Sequence, residues 1–220
     1  MKKDYNRMRS GRESVITIIY RPFVESIAKI LVKTKITPNQ ITTVGIFISI
    51  VAGGFFALGE WKYLVIGAIL TQFVLISDML DGKIARYKKL GTIFGEWYDG
   101  IANKIFKYFL FIGATIGAYK ISENPLILII GAIAIFNMTM IAFILHIKQF
   151  SNFSRGHTEL PKLKGFEIPY GLLVLVGLSI FALFNIIYLY LWLFAVLGTF
   201  GWIKQIHSQY ELARNYKPKN

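Results

Sequence analysis

Apolar residues run almost unbroken over 41–58, 63–80, 105–119, 125–145, 168–184 and 186–203, and this limits what the chain can become more than any other feature. A helix needs about 20 mainly apolar residues to cross the hydrocarbon core of a bilayer. Only helices and closed barrels satisfy their backbone hydrogen bonds there. With their polar-ended flanks the six runs reach that length. The expected fold is an all-α integral membrane protein, with six transmembrane helices preceded by an amphipathic interfacial helix. The junction at 184–187 is the least sharply marked boundary. Composition agrees: 55% of the 220 residues are hydrophobic and 17% charged, against about 45–50% and 25% in soluble domains. We read one membrane domain over 1–220: a cytoplasmic tail and interfacial helix (1–36), a six-helix bundle (37–207) and a second cytoplasmic tail (208–220). No internal repeat or second domain is visible.

The formal net charge is +13, which invites a nucleic-acid reading that the distribution argues against. Lys2, Lys3, Arg7, Arg9 and Arg12 precede the spans. Lys83, Arg86, Lys88 and Lys89 follow the second, and Lys148, Arg155, Lys162 and Lys164 follow the fourth. Lys204, Arg214, Lys217 and Lys219 end the chain, while the alternate connections hold only Lys62 and Lys120. That alternation is the positive-inside pattern for six helices with both termini cytoplasmic. Attraction to anionic headgroups follows from it, and no nucleic-acid partner is expected.

The chain has no cysteine, which excludes disulfides and thiolate metal sites. Its short apolar run 15–20 is cut by Arg21 and Pro22, so it does not read as a secretory signal. Over 22–33, Phe23, Ile27, Ile30 and Leu31 alternate with Arg21, Glu25, Lys29 and Lys33. That spacing suits a helix lying in the membrane surface and broken at Pro22; the other reading is a basic tail. Thr37 and Pro38 read as N-cap and first residue of the first span.

Acidic residues within spans are costly and point to function by default. Asp78 and Asp81 stand three residues apart at the cytoplasmic end of the second span and share a helical face. Glu96, Asp99 and Asn103 do the same at the start of the third span. The short basic segment 87–94 joins the two spans, so the faces can oppose each other. Converging carboxylates would repel without a cation. Hard oxygen ligands suit Mg²⁺ or Mn²⁺, and two such ions can clamp a phosphoryl displacement.

The full pattern runs Asp78-x2-Asp81-Gly82-x2-Ala85-Arg86-x8-Gly95-x3-Asp99-x3-Asn103. It resembles the signature of the CDP-alcohol phosphotransferase (CDP-alcohol phosphatidyltransferase) family, D-x2-D-G-x2-A-R-x8-G-x3-D-x3-D. Every spacing matches and only the last residue departs. The resemblance implies an enzyme that moves a substituted phosphoryl group from a CDP-linked donor to an alcohol and releases CMP. It implies two divalent ions on Asp78, Asp81, Asp99 and the position of Asn103. Gly82, Ala85, Arg86 and Gly95 would line the nucleotide site beside the aspartates. Asn39 and Thr42 would join them, since Thr37-Pro38-Asn39-x2-Thr42 looks like the family's usual entry to the first span.

The expected reaction is phosphatidyl transfer from a CDP-diacylglycerol-type lipid to a small polar alcohol at the cytoplasmic face. Alternatives are a soluble CDP-alcohol donor with a lipid-alcohol acceptor, an impaired or engineered homologue and, in a different class, an ion-coupled transporter. Expected partners are the donor lipid, CMP, the acceptor, the membrane and a second copy of the chain in a homodimer.

Asn103 stands where the resemblance implies the general base. An amide can lend its carbonyl oxygen to a metal but accepts no proton at useful pH. Three readings stay open: a designed change that traps substrate, a natural enzyme with another proton route, or a homologue that no longer catalyses. Glu96 is the candidate substitute base. The run from Asp99 to Ile105 resembles Asp-Pro-Leu-Ala-Asp-Lys-Ile, common among phosphatidylglycerophosphate synthases, with asparagine for the second aspartate.

Among the remaining features, Arg155, Lys162 and Lys164 would bind a phosphorylated acceptor or simply be inner-loop charges. His146 and His157 lack a carboxylate at ligand spacing and read as interfacial. Trp61, Trp97, Trp192 and Trp202 fit an aromatic belt. Gln72, Asn137 and Thr139 fit interhelical hydrogen bonds, and Gly113-x3-Gly117 fits close helix packing.

Overall fold

The computed structural model of the chain describes residues 15–150 and 170–214, and these form helices only. In chain order they are α1 (Val15–Leu31), α2 (Pro38–Leu58), α3 (Trp61–Lys88), α4 (Ile93–Ser122), α5 (Leu126–Phe150), α6 (Tyr170–Leu183) and α7 (Ile187–Arg214). Four stretches are long and apolar enough to cross a membrane: Pro38–Leu58, Trp61–Tyr87, Leu126–Ile144 and Ile187–Ser208. Helix α4 has 30 residues, but Lys104, Lys107 and Lys120 dilute its apolar run. Helix α6 is described over 14 residues. The outward faces are apolar, with Phe47 68%, Leu197 64% and Phe200 68% exposed. Apolar surface on that scale suits lipid rather than water.

Local signals set several boundaries as the sequence predicts. Thr37 caps α2 through a reciprocal box: its hydroxyl accepts from the Gln40 amide, while Gln40 Oε1 accepts from the Thr37 N–H at 2.9 Å. Pro38 occupies the first turn, where its missing donor costs nothing. The uncertain junction near 184–187 is a true break. Asn185 takes a left-handed φ of 58°, and its amide and that of Ile186 bond back to Ala182 and Phe181, closing the end of α6.

Two expectations need correction. The first is the break at Pro22: α1 is continuous through it from Val15 to Leu31. The carbonyl of Pro22 is capped from the side by Ser26 Oγ at 2.8 Å. The second concerns only bounds: the short segment expected over 87–94 does connect the two helices, but over 89–92. Helix α3 continues to Lys88, and only four residues separate it from α4. Lys89, with φ 56°, ends α3 by bonding back to Ala85 and Arg86. The motif from Asp78 to Arg86 therefore lies on one unbroken helix.

Helix α2 packs broadly against both α3 and α4, whereas α3 and α4 approach each other closely only over a short stretch. Glycines allow the α2–α4 contact. A Cβ at Gly113 would lie 2.0 Å from the Gly53 carbonyl oxygen, and one at Gly117 would lie 1.9 Å from that of Phe56. The obstacle is backbone in both cases, so neither clash can be relieved by a rotamer change. Gly113→Ala is therefore expected to destabilise by about 1–3 kcal/mol or more, the usual cost of overpacking. Gly54→Ala, with nothing within 4 Å, should leave stability within about 0.5 kcal/mol of wild type. Thermal unfolding in detergent checks both.

The core formed by Phe56, Phe106, Leu110, Phe111, Leu178 and Leu191 is fully buried. Polar side chains bridge helices, as expected for Gln72, Asn137 and Thr139, with Asn137 buried and Thr139 exposed. Gln72 Nε2 donates to Ser179 Oγ at 2.6 Å, and Tyr20 donates to Gln72 Oε1. Asn137 Nδ2 donates to the Ala195 carbonyl at 2.6 Å, and the hydroxyls of Tyr108 and Thr139 share a bond of 3.0 Å. Trp202 does more than mark an interface, since its Nε1 donates to Asn137 Oδ1 at 2.9 Å.

Helix α1 docks on the last turns of α3. Glu25 accepts from Lys83 and, at 2.5 Å, from the Tyr87 hydroxyl. Lys88 Nζ donates to the carbonyls of Thr34 and Ile36, each at 2.7 Å, tying down the connection into α2. The Lys83 bond first, then the Tyr87 bond, holds the Glu25 carboxyl below its ordinary value of 4.5. A depressed folded-state value means the stabilisation is present above the unfolded carboxyl range and is lost as pH falls through the folded value. Amide exchange over 23–31, corrected for intrinsic rates, should therefore accelerate below about pH 4.5. Glu25→Gln should remove most of that pH dependence.

Candidate active site

The motif residues gather at one end of the bundle, where the first turns of α2, the last turns of α3 and the first half of α4 meet. Asp81 is 3% exposed and accepts from the Thr42 hydroxyl, itself 2% exposed, at 2.5 Å. Thr42 thus orients a carboxylate on the neighbouring helix. Asn39 sits one turn before it, opposite α4: a Cβ at Gly95 would lie 3.2 Å from Asn39 Oδ1 and 3.1 Å from Thr92 Oγ1. Thr92 caps α4 by accepting from the Gly95 amide at 2.9 Å. The hydroxyls of Thr43 and Tyr98 close the same α2–α4 edge at 2.9 Å.

Asp78, one turn before Asp81 on the same face, is partly buried and accepts from Asn103 Nδ2. This bond joins the two motif helices directly. On its other side, Asn103 Oδ1 accepts from Lys107 Nζ at 2.9 Å. Lys107 is 8% exposed and is the functional candidate that the sequence reading passed over. The available signal was a lysine inside a span, one helical turn beyond Asn103 on the same face.

The electrostatics follow from this gathering. The Asp78 carboxylate feels the charge of Asp99, and Asp81 feels both Asp99 and Asp78. The Lys107 ammonium feels the like charge of the exposed Lys104 and the opposite charges of Asp78 and Asp99. Three acids thus act on one another with one buried cation among them. Among the described residues, no three His, Cys, Asp or Glu side chains are drawn to coordination spacing around one point. Asp78 and Asp81 are instead turned toward their hydrogen-bond donors. The donor set nevertheless fits a divalent cation: all ligating atoms are hard oxygens, and the negative charge exceeds what Lys107 offsets.

Of the other expected residues, Arg86 folds along Gly82, where a Cβ would meet Arg86 Nη1 at 3.5 Å. That is ordinary contact, so helix packing does not require glycine there. Ala85 is partly buried. Glu96 lies in the first turn of α4 and is exposed, two turns from Asn103 along the helix. Arg155, Lys162, Lys164 and His157 lie outside the described residues, as does the side chain of His146.

Comparison with known proteins bears on the fold and the family. The chain is 24% identical to the phosphatidylinositol phosphate synthase of Mycolicibacterium smegmatis, over 83% of this chain and 81% of the relative. It is 35% identical over 88 residues to that of Corynebacterium glutamicum, a match spanning 37% of this chain and 36% of that protein. The Mycobacterium tuberculosis phosphatidylinositol phosphate synthase in complex with manganese and citrate superposes with a TM-score of 0.67, at 26% identity, covering 84% of this chain and 87% of that one. The same enzyme with CDP-DAG bound has a TM-score of 0.66 at 23% identity, covering 84% and 92%; this likeness concerns the fold. Residues 35–206 match the profile of the CDP-alcohol phosphatidyltransferases, and with the motif's residues assembled at one end of the bundle, the chain belongs to that family of membrane transferases of phospholipid synthesis.

Proposed function

We propose that this chain transfers a phosphatidyl group from a CDP-diacylglycerol-type lipid to a phosphorylated polyol, with an inositol phosphate as the favoured acceptor, releasing CMP. The observation that carries the reading is that Thr42 holds Asp81 and Asn103 holds Asp78 at one end of the bundle, where the charge of Asp99 on α4 acts on both acids. The names of the relatives support the acceptor.

Asp78, Asp81, Asp99 and the Asn103 carbonyl would hold Mg²⁺ or Mn²⁺; the manganese in the superposed relative supports this. Bound there, such ions neutralise charge on the pyrophosphate and on the departing CMP. The protein's own groups do the remaining positioning. Thr42 fixes the Asp81 carboxylate, and Arg86 offers a forked donor to phosphate oxygens. Gly82, Ala85 and Gly95 let the cytidine and its phosphates approach the backbone, with Asn39 at the α2–α4 edge. Arg155, Lys162 and Lys164 are proposed to meet the acceptor's phosphate.

The topology we propose is six spans, with α4 and α6 joining the four apolar ones. Helix α1 lies at the inner interface, both termini and the active site are cytoplasmic, and residues 1–220 form one membrane domain. At 1.5 Å per residue, the 30 residues of α4 exceed the thickness of the bilayer core, about 30 Å. A homodimer is the proposed assembly. Tags at each terminus, probed in inside-out and right-side-out vesicles, test the sidedness; opposite sidedness would overturn it.

The decisive experiment follows CMP release by purified protein with Mg²⁺ or Mn²⁺ and CDP-diacylglycerol. Inositol phosphate, glycerol 3-phosphate, inositol and serine are compared as acceptors. Release with inositol phosphate above the other three is expected. Equal binding of cytidine and uridine nucleotides would sink the reading and favour a transporter.

A further inference from the structure

The Asn103–Lys107 pair changes the charge of the site in a way the motif alone does not reveal. The family signature places a fourth carboxylate at position 103. Here that position carries a neutral amide whose two ends are both engaged: Nδ2 donates to Asp78, and Oδ1 accepts from Lys107 at 2.9 Å. Lys107 is 8% exposed in the middle of a helix, where a buried ammonium requires nearby anions to offset its desolvation. Asp78 and Asp99 supply them. Asn103 and Lys107 are thus one structural unit: a neutral amide stands where the signature has a carboxylate, and it holds a buried cation one turn away.

We propose that Lys107, held by Asn103, stands in for one cation, so that the protein alone holds one divalent ion and the second enters only with the nucleotide. With the exposed Lys104 and Arg86 left aside, three carboxylates and the buried Lys107 ammonium leave the inner site a formal charge of −2, matched by a single divalent ion. Four carboxylates without the lysine would leave −4 and match two. In the unaltered chain the missing negative charge comes from the substrate's pyrophosphate. Lys107 is a positioning residue in this account, since it touches Asn103 and not the reacting atoms. The inference rests on the metal-dependent reading above.

The test counts Mn²⁺ bound per protein by electron paramagnetic resonance of free Mn²⁺, on the full chain in detergent without nucleotide. One ion is expected for the unaltered protein, rising to two when a CDP nucleotide is added. Two are expected without nucleotide for the Asn103→Asp/Lys107→Met variant, with a spin-coupled signal from the neighbouring ions. Two ions bound by the unaltered protein without nucleotide would overturn the inference alone. So would a folded double variant that binds only one. The count on the unaltered protein decides the question even if the double variant fails to fold. Absence of Mn²⁺ binding in every form, with or without CDP, would overturn both the inference and the reading beneath it.

Discussion

Asp99→Ala is expected to abolish metal-dependent nucleotide binding and to lower CMP release by at least about 10³-fold, with Asp78→Ala and Asp81→Ala close behind. A divalent cation at a transferring phosphoryl group is worth several kcal/mol, and each 1.36 kcal/mol is a factor of ten in rate. Asp99 is the acid on α4 whose charge acts on both α3 acids, so its loss removes the one α4 carboxylate that could share a cation with them. The fold should survive, because the largest apolar cluster extends through the rest of the bundle and α2 packs broadly on α3 and on α4. Asp78→Ala carries an added cost, since it deprives the Asn103 amide of its acceptor. Calorimetric titration of Mn²⁺ with CDP, beside a thermal unfolding curve, separates lost binding from lost folding. Retained metal affinity in the Asp99→Ala protein would show that the helix faces are wrongly paired.

Asn103→Asp is expected to raise the rate of CMP release by at least about tenfold. The amide cannot take the acceptor's proton, whereas a carboxylate at the same atoms can, and general-base help is typically about 10²–10⁴-fold. The gain should fall toward the lower end because Lys107 would contact the new carboxylate. A carboxylate salt-bridged to an ammonium is a weaker proton acceptor. Nucleotide affinity should change much less than turnover, since Asp78, Asp81, Asp99 and Arg86 all remain. Single-turnover CMP release at matched metal and lipid measures the effect. The competing outcome is an unchanged Asn103→Asp rate with activity abolished by Glu96→Gln, which would make Glu96 the base. Its exposed position in the first turn of α4 counts against that role.

Much of this was readable along the chain because its physics is local. Apolar runs force helices in a bilayer, and Thr37 with Pro38 starts α2 through a cap that needs only four residues. Asp78 and Asp81, like Asp99 and Asn103, share faces by helical periodicity alone. Gly113 and Gly117 carried their packing role in their spacing. The errors were also local in kind. Pro22 was expected to break a helix that runs through it, since the break was inferred from the proline without the packing of α1 on α3. The 87–94 segment is a linker over 89–92 only, since the helices on either side extend two residues further than the charges suggest.

What the sequence determined by itself was the family motif and the helical, membrane-suited character of the chain, both fixed by residue identity and spacing. What only the tertiary structure decided was which groups meet. Thr42 reaches Asp81 across 39 positions in the chain and Asn103 reaches Asp78 across 25; no periodicity within one helix encodes either contact. The meaning of Lys107 changed most. In the sequence it is one of 25 basic residues; in the fold it is buried beside Asn103, and burial makes its ammonium weigh against the neighbouring carboxylates. Charge in a low-dielectric interior acts over the distances that packing sets, and those distances exist only once the helices have come together.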